Sequence, residues 1–135
     1  WGPSDTFATA LAVEALGVGQ PAYHAADWVA ARDRSDATAF ELANDLTVCA
    51  TSGTHPAIVA ECVERLVTSQ HSDGAWASGA VMRVPDPSDE APWEERHWQW
   101  DGLIEGAQVR DVRRVFTTAT VVHALGTVTG ERADS

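Results

Sequence analysis

Apolar residues recur at helical spacing in five segments of the chain, and residues that favour turns separate these segments. The clearest segment covers residues 54–68, where Thr54 can cap a helix and Pro56 suits its first turn. Apolar pairs then repeat about every four residues, which is typical of one face of an amphipathic helix. The pairs are Ile58 and Val59, Cys62 and Val63, and Leu66 and Val67.

The same spacing predicts four more helices, at residues 4–17, 21–34, 37–51 and 111–128, and therefore an all-α fold. The predicted capping residues of three of them are Ser4 or Asp5, Ser35 or Asp36, and Asp111. The side chains expected to face the core are Tyr23, Trp28 and Val29 in the second helix, and Val112, Val115, Phe116, Ala119 and Val122 in the fifth.

Residues 71–110 differ from the rest of the chain. Glycine and proline occur seven times there, and three of the six tryptophans lie between Trp93 and Trp100. A long irregular segment in a compact domain is usually functional or disordered, and the tryptophans argue against disorder. We predict a single helical domain over residues 1–135, with one Trp-rich insertion at about 71–110.

Composition excludes several classes of function. The chain has 135 residues, 44% of them hydrophobic, and a net charge of −11, and all nine basic residues are arginine. Such an acidic chain is not expected to bind nucleic acid, and no apolar run is long enough to span a membrane. Cys49 and Cys62 lie in apolar contexts, which favours buried free thiols and a cytoplasmic location. The start at Trp1 lacks a signal-peptide pattern and is typical of a fragment boundary.

Part of the sequence is repeated. Residues 7–17 align with residues 116–126, and seven of the eleven positions are identical. Both copies begin with Phe-x-Thr-Ala and end with Ala-Leu-Gly, and Phe40 begins a degenerate middle copy. Repeats of this kind predict helical units that pack side by side.

One motif follows the fourth predicted helix. From Gln70 to Trp76 the pattern is Gln, three residues, Gly, one residue, Trp, which suits a tight turn covered by an aromatic ring. This motif resembles the QW repeat of the squalene-hopene cyclase and prenyltransferase superfamily, and the repeated Phe-x-Thr-Ala helices resemble its inner helices. The resemblance implies helical hairpins of the α/α-toroid type. A full toroid has about six hairpins, so the chain matches about half of one. We expect a fragment, a homodimer or a missing second half.

The resemblance also directs attention to acids that can start a cyclisation by donating a proton. The acidic motif of the family is not reproduced at residues 2–7, where only Asp5 and Thr6 agree, so we interpret Asp5 as a helix cap. The candidate acids are instead Asp86, Asp89 and Glu90, although an exposed acidic loop has the same pattern. The candidate substrate-binding residues are Trp76, Trp93, Trp98 and Trp100 as an aromatic wall, and Arg83 for an anionic group such as diphosphate.

Protein prenyltransferases of the same superfamily bind zinc through Asp, Cys and His. Asp45 and Cys49 lie on one predicted helix face and His123 on another, but the family spacing is absent. We therefore predict a core histidine and a buried cysteine, and neither a metal nor another cofactor.

The function favoured by the resemblance is that of a terpene-cyclase-like protein. It would bind a lipophilic, isoprenoid-derived substrate and promote cyclisation or isomerisation by proton transfer. The alternative is a non-catalytic helical-repeat module that binds a peptide, a lipid or a partner subunit. Fold alone does not choose between them.

Overall fold

The computed structural model describes residues 5–83 and 108–130. These residues form helices that pack against one another, which confirms the predicted all-α class, and one short antiparallel strand pair that the sequence did not predict. The strand pair brings Arg83 opposite Gln108. The elements are α1 (Asp5–Leu16), α2 (Gln20–Ala30), α3 (Ala39–Ser52), α4 (Pro56–Thr68), β1 (Ala80–Arg83), β2 (Gln108–Arg110) and α5 (Val115–Thr129).

Helix α3 begins with a capping box. The Glu41 amide donates to the Thr38 hydroxyl at 3.3 Å, and the Thr38 amide donates to the Glu41 carboxylate at 2.9 Å. The predicted cap at Ser35 or Asp36 is therefore wrong by two or three residues. The Thr-x-x-Glu pattern at 38–41 identifies the correct N-cap residue, because it supplies both partners of a capping box.

Helices α4 and α5 both begin after a residue with positive φ, His55 at 53° and Arg114 at 58°. Thr54 does not cap α4, because its hydroxyl instead bonds that of Ser52. Asp111 does act at the start of α5, although it lies outside the helix: its carboxylate accepts from the Thr117 amide at 2.7 Å. Neither turn follows the standard cap that the sequence suggested.

The inner layer consists of α1, α3 and α5. Phe7, Phe40 and Phe116 lie in the first turns of these helices, and their ring centroids are 5.6–6.0 Å apart. The first turns therefore lie together, and the three helices run in parallel. Helices α2 and α4 return the chain between them and form an outer layer that packs on α3.

The core lies on the outer side of α3. Two buried clusters flank this helix, one around Leu46, Leu66 and Trp76 and the other around Val29 and Val48. Cys49 and Cys62 are buried free thiols, as predicted. Burial raises the pKa of Cys49 to about 11 and that of Cys62 to about 12.

Helix α2 packs through small residues. Ala22, Ala26 and Val29 form its buried stripe, as a close approach to α3 requires. Tyr23 and Trp28 do not face the core, contrary to the prediction, because their rings are too large for this close contact. Trp28 instead lies under the Arg32 guanidinium, 5.1 Å from the ring centroid, as in a cation–π interaction.

Helix α5 buries a different face from the one predicted. Its buried residues are Thr117, Val121 and Ala124. The apolar residues of α5 occur on all sides of the helix, so their spacing does not define a single buried face. Packing on α3 selects the stripe with smaller side chains and leaves the predicted one exposed. The exposed residues are Val112, Val115, Phe116, Ala119 and Val122.

Candidate functional site

The Gln70–Trp76 motif forms a turn at the end of α4. The Gln70 side-chain amide donates to the Gly74 carbonyl at 2.9 Å, and Gly74 has a φ of +84°, which favours glycine. The indole N–H of Trp76 donates to the Leu66 carbonyl at 2.7 Å, and the side chain is 2% exposed. The motif therefore satisfies an end carbonyl of α4 and covers it with an apolar ring.

This turn also links the end of α4 to the start of α5. Asp73 pairs with Arg114 at 2.5 Å, and the hydrogen bond from that guanidinium lowers the pKa of the carboxyl. The Trp76 amide donates to the Thr118 hydroxyl at 3.5 Å. Trp76, which sequence analysis placed in a substrate pocket, thus lies in the core and lines neither of the cavities described below.

The other predicted site residues lie in or beside the long insertion. Arg83 is the last residue of β1, where the backbone alone is described. The remaining predicted residues lie outside the described residues, so these predictions stay as they were. They are Asp86, Asp89, Glu90, Trp93, Trp98 and Trp100.

The inner layer contains a cavity of about 320 Å³ between α1, α3 and α5. Phe7 and Phe116 line one end of it, above the buried Phe40 ring. Further along, the lining comes from equivalent positions of the three repeats, which lie four and seven residues after each phenylalanine. The first set is Leu11, Asn44 and Thr120, and the second is Glu14, Thr47 and His123.

A second cavity of about 480 Å³ continues towards the ends of the same helices. Val18, Thr51 and Thr127 line it, and they lie eleven residues after the three phenylalanines. Glu14 and His123 line both cavities, so this pair lies between them. We call the two cavities together the inner groove.

Glu14 and His123 meet across the inner groove. The Glu14 Oε1 atom lies 2.5 Å from Nε2 of His123, and the two residues are 109 positions apart in the sequence. A carboxylate and an imidazole in contact can accept, donate and relay a proton. The prediction missed this pair, although aligning the repeats places both residues seven positions after a phenylalanine.

A buried ion pair lies where the segment after α2 meets α3. The fully buried Asp45 carboxylate accepts from Arg32 at 3.1 Å, and its other oxygen has no hydrogen-bond partner. Burial raises the pKa of Asp45 to about 6, although the Arg32 charge opposes this shift. Asp45 and Cys49 are thus buried, as predicted for Cys49. The predicted core position of His123 is wrong, because its side chain is 59% exposed and pairs with Glu14 in the groove. Within the described parts of the chain, no three potential metal ligands cluster.

The fold is similar to that of a solved structure described as the crystal structure of a protein from Actinoplanes. The TM-score is 0.78, and the sequences are 29% identical. The match covers 96% of this chain and 44% of that one, so this chain spans less than half the length of the protein it matches. No protein-family model and no curated protein matches the chain.

None of the helices within residues 5–83 and 108–130 is long and apolar enough to cross a membrane.

Proposed function

We propose that this protein binds a lipophilic, isoprenoid-derived substrate in the inner groove and promotes its cyclisation or isomerisation by proton transfer. The observation that carries the proposal is the groove itself, in which an aromatic end is followed by a proton-relaying pair. Its first cavity, about 320 Å³, is at the lower end of the range of small-molecule sites. The resemblance to squalene-hopene cyclases motivates the choice of substrate class.

The chemistry needs an acid that protonates an alkene and aromatic faces that stabilise the resulting cation. Phe7 and Phe116 supply aromatic surface at the end of the groove. Asp86, Asp89 and Glu90 remain the proposed proton donors, and their segment starts after β1 and ends before β2. Glu14 and His123 are the titratable pair that would accept or relay the proton within the groove.

A matched pair of substitutions tests where the substrate binds. Ala119 is an exposed residue of α5 that lines the groove, and Ala60 is an exposed residue of α4 on the outer layer. Purified wild type, Ala119→Trp and Ala60→Trp are incubated with squalene, farnesol and farnesyl diphosphate, and the products are analysed by mass spectrometry. We expect wild type and Ala60→Trp to form cyclic or isomerised products. In Ala119→Trp the indole fills the groove, and we expect at least a tenfold loss.

The same assay tests the acids. Asp86→Asn, Asp89→Asn and Glu90→Gln each remove one carboxylic acid and keep the shape of the side chain. We expect at least one of them to lower product formation by a hundredfold or more, within the range usual for a general acid. Full activity in all three variants rules these residues out as the proton source. Equal activity of Ala119→Trp and wild type contradicts the assignment of the groove.

A second candidate is the non-catalytic binding module. The observation in its favour is the exposed apolar surface beside the groove, where Leu11 is 51% exposed and Val122 is 57% exposed. Apolar surface of this kind marks binding sites for proteins or ligands. Tight binding of an isoprenoid without any product would favour this candidate over the enzyme.

A further inference from the structure

We infer that the inner groove selects a ligand with a cationic head, such as a protonated lipophilic amine, and that Glu14 is the counter-ion of that head. The inference rests on the proposed function, because it takes the groove to be the ligand site. It goes further by assigning a charge to the ligand.

Four polar side chains that line the groove donate hydrogen bonds to carbonyls of their own helices. The Thr47 hydroxyl donates to the Ala43 carbonyl at 3.0 Å, and the Asn44 amide donates to the Phe40 carbonyl at 2.8 Å. The hydroxyls of Thr120 and Thr127 do the same, to the carbonyls of Phe116 at 2.9 Å and Ala124 at 2.6 Å.

The threonine hydroxyls that donate to the backbone therefore offer a ligand oxygen lone pairs, whereas Asn44 offers its carbonyl oxygen together with its second amide hydrogen. Thr47 is 3% exposed, so a ligand atom that contacts its hydroxyl oxygen must supply the hydrogen. The groove thus favours a hydrogen-bond donor over an acceptor.

The charges of the residues that line the groove also favour a cationic ligand. Glu14 is the acid of the groove, and an imidazole nitrogen that carries a hydrogen can donate to it from His123. Among the described residues that line the two cavities there is no arginine, and the whole chain has no lysine. With a net charge of −11, the protein also attracts cations at longer range. The lining side chain that could attract an anionic head is thus His123, and it already hydrogen-bonds the Glu14 carboxylate.

The length of the ligand follows from the helix geometry. Glu14 lies seven residues after Phe7, which corresponds to about 10 Å along the helix axis. An octyl chain has this order of length, so it can contact the phenylalanine rings while its head reaches the carboxylate. The matching probes are octylamine, octanol and octanoate, which share one chain and differ in the charge of the head.

Isothermal titration calorimetry at pH 7 measures the three affinities. We expect octylamine to bind at least tenfold more tightly than octanol, and octanoate to bind most weakly. In Glu14→Gln the advantage of octylamine over octanol should disappear, while the affinity for octanol stays within about twofold. In Glu14→Asp, which keeps the charge, part of the advantage should remain.

Two controls separate this inference from the proposed function. Glu64→Gln removes an exposed acid of α4 on the outer layer, and it should keep the wild-type preference for the amine. Circular dichroism and urea unfolding establish that each variant is folded. Equal affinity of wild type for octylamine and octanol overturns the inference and leaves the groove as a lipophilic site. Amine binding that survives in Ala119→Trp places the amine outside the groove and overturns the inference, whereas the product assay of the same variant tests the proposed function.

Discussion

The two sides of α3 are built differently. On its outer side, Leu46 and Val48 are fully buried against neighbouring helices, and the apolar core there is closed. On its inner side, Asn44 and Thr47 border an open groove, although both residues are themselves nearly buried. The difference indicates that one face of this helix contributes to the stability of the fold, whereas the other face borders the proposed ligand site. Substitutions should therefore separate the two.

The largest expected effect is on the outer side. Trp76→Ala removes a side chain that is 2% exposed and leaves a cavity, and the Leu66 carbonyl loses the hydrogen bond from the indole. We expect a loss of about 3–5 kcal/mol in the free energy of unfolding. Phe116→Ala removes a ring of the groove that is 44% exposed, and its cost should be about 1 kcal/mol.

Urea unfolding of both variants measures this contrast. The same variants should show the reverse order in ligand binding, with the larger loss of octylamine affinity in Phe116→Ala. Equal destabilisation by the two substitutions would mean that the groove is as tightly packed as the core.

A medium effect is expected from the buried ion pair. The pKa of Asp45 is raised from 3.8 to about 6 in the folded state, so the folded protein holds this proton over a range in which the unfolded chain has lost it. The contribution of Asp45 to stability is therefore highest below pH 4 and decreases as the pH rises to about 6. A shift of about two units corresponds to roughly 3 kcal/mol.

Asp45→Asn removes this titration and can keep the hydrogen bond from Arg32. The stability of wild type minus that of the variant should therefore fall by roughly 3 kcal/mol between pH 4 and pH 7. Urea unfolding at several pH values measures the difference. Asp36→Asn, which removes an exposed acid before α3, is the control for the loss of one carboxylate, and the fall for Asp45→Asn should exceed the change in this control. An equal change in the two variants would show that the Asp45 carboxylate is solvated.

The smallest effect is expected at the surface of the Trp76 turn. Arg114→Gln breaks the pair with Asp73 but leaves the indole in place, so Tm should fall by a few degrees at most. Because Arg114 lowers the pKa of Asp73, this difference should vanish as the pH falls below the usual range of an aspartate. It should also vanish at 1 M salt, where charges are screened within about 3 Å. Arg113→Gln is the neighbouring control, and an equal loss there would mean that the pair contributes nothing specific.

How far the sequence predicts the fold depends on the helix. In α4, apolar pairs alternate with polar residues, so periodicity gives both the helix and its buried residues Cys62 and Leu66. In α5, apolar residues occur on all sides of the helix, and only packing against α3 decides that Thr117 is buried and Val122 is not. The spacing of apolar residues predicts that a helix forms, but tertiary contacts decide which of several similar helix faces is buried.

The candidate site was harder to predict for a similar reason. Glu14 and His123 occur in segments that look apolar, and neither belongs to a motif of acids or histidines. Their contact exists because α1 and α5 both pack beside α3. The sequence repeat does predict this contact, because residues that follow Phe7, Phe40 and Phe116 by the same number of positions line the same groove. Comparison of the copies position by position would have identified the site.

The parallel course of α1, α3 and α5 gives the groove a direction. The peptide dipoles of parallel helices point the same way, with partial positive charge at their first turns and partial negative charge at their last turns. The phenylalanine end therefore has the more positive backbone potential, and the end near Thr51 and Thr127 has the more negative one. A molecule whose two ends differ in charge would consequently lie in this groove in one orientation only.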